Sequence, residues 1–103
     1  MLERNVEIRS ELWTEPYEAA WAGEARWFLN VVDASPGTTV EIVTFLSPDG
    51  LCWCPHESSR LRFEGVGLQT LRVPDFCPWL RLNVEVGGAS PYIKTIIYLS
   101  LRQ

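Results

Sequence analysis

At 103 residues and 11.8 kDa, the chain has room for one hydrophobic core and not for two, so residues 1–103 read as a single domain. A content of 47% hydrophobic and 21% charged residues is that of a folded globule, not of a disordered segment. The net charge of −4 comes with arginines spread evenly along the chain, which argues against a nucleic-acid partner.

The first predicted element runs over residues 6–12, where Val6, Ile8 and Leu12 alternate with Glu7, Arg9 and Glu11. Glu3, Glu7, Glu11 and Glu15 would line up on a helix, but Val6 and Ile8 share a face only in a strand. Glu24–Asp33 is a second strand, apolar on both faces, which suggests cover on both sides. Thr38–Ser47 is a β-branched third strand, and the short Ala34-Ser35-Pro36-Gly37 link suits a hairpin between the two. Ser47-Pro48-Asp49-Gly50 fits a type I turn, because proline presets φ and glycine tolerates the exit. Leu51–Cys54 follows as a short strand halted by Pro55, and residues 54–59 read as a loop.

Arg60–Glu64 and Leu68–Val73 alternate next, with Leu61, Phe63, Leu71 and Val73 inward. In Pro78–Val86, Leu80, Leu82, Val84 and Val86 take one side, and Trp79, Arg81, Asn83 and Glu85 the other. Tyr92–Leu101 closes the chain, and its second face, with Tyr92, Ile96 and Tyr98, is more apolar than a water-facing edge requires. The result is an all-β chain of seven to nine strands. At this length that is a two-sheet antiparallel β-sandwich, Ig-like or, if connections cross between sheets, a jelly roll.

The strongest candidate for chemistry is Cys52-x-Cys54-x-His56, with Cys77 further on. Two thiolates on one zinc must lie closer together than residues two apart on a strand allow. No pair of C-x2-C knuckles is present, so small buried or half-buried free thiols are the favoured reading. His56, the single histidine, could serve a triad with Ser58 or Cys54 and Glu57, but no nucleophile elbow surrounds it and it reads as a solvated loop residue. Glu41 and Glu85 read as solvent-face carboxylates, Asp49-Gly50 lacks the oxygen spacing of a calcium loop, and Gly65-Val66-Gly67 opens no helix that could hold a phosphate. No catalytic residue, cofactor or metal site is therefore assigned.

Five tryptophans remain, and Trp27 and Trp53 are the expected core pair. Trp21, in an Ala-Ala-Trp-Ala-Gly loop, and Trp79, with Tyr92 and Tyr98 on the last strand, are the candidate contact residues for an interface or ligand.

Several motifs resemble those of a family of small bacterial β-sandwich domains of unknown function, found mainly in spore-forming Gram-positive bacteria. They are the aromatic–Asn–Val order within residues 28–32, the Ser47-Pro48-Asp49-Gly50-x-x-Trp53 turn, Leu71-x-Val-Pro-x-Phe76-x-x-Trp79-x-Arg81-Leu82, and Thr95-x-x-Tyr98-x-x-x-x-Gln103. The likeness covers residues 5–103, and related turns occur in phage-tail and adhesion modules. It implies an architecture and no catalytic residues; Trp79 replaces the usual Tyr, and the Cys52/Cys54 pair is a departure.

The expectation is a non-enzymatic assembly module that forms homo-oligomers through an apolar sheet face, with a surface-layer, spore-coat or phage-tail role. The alternative is a carbohydrate-binding module using exposed Trp and Tyr. No stretch reaches the roughly 18 apolar residues of a membrane span. Residues 1–5 lack a signal-peptide core, which places the chain in the cytoplasm or on a spore or virion surface.

Overall fold

Period-two alternation buries one face of a strand and leaves the other to water, so two sheets can satisfy each other face to face. That is what the computed structural model shows over the residues it describes, 3–103. Nine strands form: β1 (Glu3–Ile8), β2 (Glu11–Trp13), β3 (Tyr17–Glu18), β4 (Glu24–Ala34), β5 (Thr39–Ser47), β6 (Cys54–Glu64), β7 (Gly67–Val73), β8 (Trp79–Gly87) and β9 (Ile93–Arg102). One sheet has the order β1-β9-β4-β7; the other runs β2-β8-β5-β6, with β3 also on β8. All pairings are antiparallel. Among the described residues no helix is long and apolar enough to cross a membrane.

Between the sheets, Trp27, Leu29 and Val31 of β4 and Ile93 and Ile97 of β9 meet Val40 and Ile42 of β5 and Leu80, Leu82 and Val84 of β8, all buried. Leu61, Phe63, Leu71 and Val86 close the margins of this core, on the sides their alternation assigns. Six of the eight connections cross from one sheet to the other; only β2–β3 and β5–β6 stay within one. With β2 and β3 counted as one interrupted strand, the order is that of a jelly roll, which decides between the two sandwich types expected.

Three local expectations need correction. Residues 6–12 are not one strand: the chain breaks at Arg9-Ser10, leaving β1 in one sheet and β2 in the other. The Ala34–Gly37 link is an arch between sheets and not a hairpin, since β4 and β5 do not pair. It is stitched to the arch between β8 and β9 by Ser35 N–H to Tyr92 O (3.0 Å) and Ser35 Oγ to Ser90 O (2.7 Å). Gly88, at φ 135°, lies so close that a Cβ would meet Gly37 O at 2.9 Å. A link of this length serves a hairpin and an arch equally well, so spacing could not choose between them.

The third correction concerns residues 51–59. Leu51–Trp53 are loop, and β6 begins at Cys54 and passes through Pro55. The register jumps from Val43↔Arg60 to Phe45↔Pro55, so Thr44 alone on β5 stands against residues 56–59 on β6. Such an excursion strips backbone N–H groups of their ladder partners. His56 restores them: its Nδ1 accepts the N–H of Ser58 and of Ser59, each at 3.1 Å, and its Nε2–H donates to Pro74 O. His56 is 1% exposed and holds the bulge together, where the sequence reads a solvated loop.

Candidate functional site

Chemistry-bearing residues are unevenly spread over the molecule, and the outward face of the β2-β8-β5-β6 sheet carries the densest group. Register sets its rows. Glu11, Glu85 and Glu41 lie side by side on β2, β8 and β5, followed by Arg62 on β6. The next row is Trp13, Asn83, Val43 and Arg60. Arg81, Phe45 and Pro55 form the third, and Trp79 and Ser47 the fourth.

Trp13 meets Phe45 edge to face, with ring centroids 4.7 Å apart at 65°. The Arg81 guanidinium stands over Trp13 at 4.8 Å and over Trp53 at 5.3 Å. A guanidinium over indole faces is attracted by the negative π-cloud, and more strongly when water is displaced. Arg81 Nε is buried without a hydrogen-bond partner, and among the described residues no carboxylate lies within 4.0 Å of this side chain. Among the described residues the neighbouring carboxylates are not ion-paired either, although Arg62 stands across from Glu41. Glu11 accepts from Asn83 Nδ2 at 3.1 Å, and neither Glu85 nor Glu41 makes an ion pair among the described residues.

The Ser47–Gly50 turn frames the far end of this face. Ser47 Oγ accepts from Gly50 N–H (2.8 Å) and donates to Asp49 (3.0 Å); Asp49 Oδ1 in turn accepts from Leu51 and Cys52 N–H at 2.8 and 3.0 Å. Those backbone donors hold the Asp49 carboxyl below its ordinary range. Gly50 has φ 82°, and a Cβ there would sit 3.3 Å from the Trp79 ring. The motif therefore seats Trp79 and delivers Trp53 to Arg81.

The residues singled out from sequence do not converge. Trp79 is half-buried on the face just described. Tyr98, 38% exposed, belongs to the outward face of the opposite sheet, across from Phe28. Tyr92 sits ahead of β9 with Arg9 over its ring at 4.6 Å, and partial burial together with Glu7 and Asp33 pushes its phenol up. Trp21, 53% exposed, stands alone in the turn before β4. Trp27 is a core residue as expected, whereas Trp53 is half-buried on the outside. The sequence reading missed Trp13, Phe45 and Arg81 as a group. The signal was present in β8, where Arg81 alternates with Trp79, Asn83 and Glu85, but its neighbours come from strands whose pairing sequence alone does not give.

Among the described residues no group of three or more His, Cys, Asp or Glu is placed to hold a metal. Cys52 and Cys54 are exposed rather than buried, Cys77 is half-buried, and all three are free thiols. His56 is committed through both ring nitrogens.

No protein-family model and no curated protein matches this sequence. Among solved structures it is similar to the Anabaena sensory rhodopsin transducer, at 17% identity and a TM-score of 0.44, over 87% of this chain and 93% of that one. A likeness at that level says nothing of what this chain binds.

Proposed function

We propose that this chain is a non-catalytic assembly module that pairs with a second copy of itself through the outward face of the β2-β8-β5-β6 sheet. The observation that carries the reading is the Arg81 stack, a cation placed over two indoles with, among the described residues, no carboxylate within 4.0 Å. Trp and Arg of this kind are the residues that anchor interfaces. The charges on β8 supply the occupant. Arg81 and Glu85 flank Asn83 at equal spacing on one strand face, so a two-fold axis lying across the strands over Asn83 brings Arg81 of each copy onto Glu85 of the other. The same operation relieves the row of like charges at Glu11, Glu85 and Glu41. A role in a surface layer, spore coat or phage tail is the setting that the turn-motif resemblance suggests.

The carbohydrate-binding alternative has less support, because Arg81 already occupies one stacking face of Trp13 and of Trp53. Light scattering behind size exclusion tests the proposal. The parent chain should run as a dimer, and Arg81→Glu or Glu85→Arg should each weaken it by at least about tenfold. The double swap should restore it. A strictly monomeric parent at about 100 µM, where even a weak interface would show, sinks the reading. Trp fluorescence that shifts with polysaccharide in a monomeric parent would favour the alternative.

A further inference from the structure

The opposite sheet carries a second unassigned feature, at the end where β4, β7 and β9 meet the loop after Val73. A concavity of about 700 Å³ opens there, lined among others by Arg26, Phe28, Arg72, Phe76 and Arg102. Arg26 and Arg72 are direct cross-strand partners on β4 and β7, an arrangement that repels unless an anion lies between. Arg26 is fixed by donating from Nη1 to Thr70 Oγ1 at 3.0 Å. Two carboxylates also line the hollow. Glu24 is taken by Arg102, which donates to it from Nε at 3.2 Å and Nη2 at 2.6 Å, and among the described residues Asp75 makes no ion pair. Among the described residues neither Arg26 nor Arg72 has a carboxylate within 4.0 Å. Arg102 chiefly, with Arg72 and Arg26 adding least, holds the Glu24 carboxyl below its ordinary range; the three arginines of the lining outnumber its two carboxylates.

We propose that this hollow binds a small organic oxyanion, its carboxylate or phosphate held by Arg26 and Arg72 and its apolar body against Phe28 and Phe76. Guanidinium forks recognise both groups through paired N–H donors, and a partly enclosed site strengthens such bonds over those made in open water. The site is independent of self-association, since it lies on the other sheet.

The test is a 1H–15N NMR titration of the intact chain with phenyl phosphate, benzoate and inorganic phosphate, each at low ionic strength. Saturable shifts at Arg26, Phe28, Arg72 and Phe76 are expected with one or both aromatic probes, and which of the two binds tighter separates a phosphate ligand from a carboxylate one. Arg72→Gln should weaken that binding at least tenfold, Arg72→Lys by less because it keeps charge without the fork, and Glu24→Gln should tighten it. Arg72 is exposed, so Arg72→Gln and Arg72→Lys keep the parent melting temperature. No saturable shift with any probe, or binding unchanged in Arg72→Gln, overturns the proposal. Inorganic phosphate binding as tightly as phenyl phosphate would remove Phe28 and Phe76 from it.

Discussion

Two regions of this molecule place polar groups against tryptophan, and they end differently. Inside, Trp27 Nε1–H donates to Thr44 Oγ1 (3.0 Å), Thr44 to Ser59 Oγ (2.8 Å) and Ser59 to Arg72 O (2.8 Å). The chain of donors runs from β4 through β5 and β6 to β7, joining both sheets, and every member is satisfied. Outside, Arg81 lies over Trp13 and Trp53 and among the described residues its Nε finds no acceptor. A completed polar chain specifies one packing of the core, and breaking it leaves buried groups unpaired.

Substitutions should separate the two regions. The largest effect is expected at His56, which abuts the interior chain through Ser59 N–H. His56→Ala leaves two backbone N–H groups and the Pro74 carbonyl unpaired beside a new cavity, and should destabilise by about 3 kcal/mol in a denaturant titration. Gly50→Ala comes next, at about 1–2 kcal/mol, because alanine resists the positive φ and its methyl presses on Trp79. Arg81→Gln should cost the monomer about 1 kcal/mol, because the loss of two half-buried cation–π contacts is partly offset by removing an unpaired buried Nε, while largely abolishing self-association. A loss at Arg81 as large as that at His56 would erase the distinction.

The smallest effect is electrostatic. Asp49 and Glu24 both titrate below their unfolded values, so their contribution is present above the ordinary carboxylate range and is lost as pH falls through the lowered folded values. Melts between about pH 5 and pH 2 should therefore show an acid limb that Asp49→Asn makes shallower.

How much of this could be read beforehand follows from what leaves a periodic trace. Leu80, Leu82 and Val84 alternate without interruption, and their strand and its inward face follow directly. The core position of Trp27 came the same way, from an apolar run in β4. Arg9-Ser10 carries no Gly or Pro, so the break that sends β2 to the other sheet has no marker, and Trp13 lost its neighbours with it. His56 lies in an excursion with no period at all, and only three-dimensional hydrogen-bond accounting reveals its role. The candidate site was legible as residue types and illegible as a grouping.

The irregularities in the outer strands have a consequence for solubility. An open sheet margin invites other chains to extend it. Here the β6 margin is spoiled by Pro55 and the bulge at His56, the β2–β3 margin is interrupted at Pro16, and β1 is kinked where Asn5 takes φ 50°. Among the described residues that leaves β7, regular over its pairing with β4 from Gly67 to Val73, as an unbroken rail on which fibrillar growth would start, and Arg72 charges it.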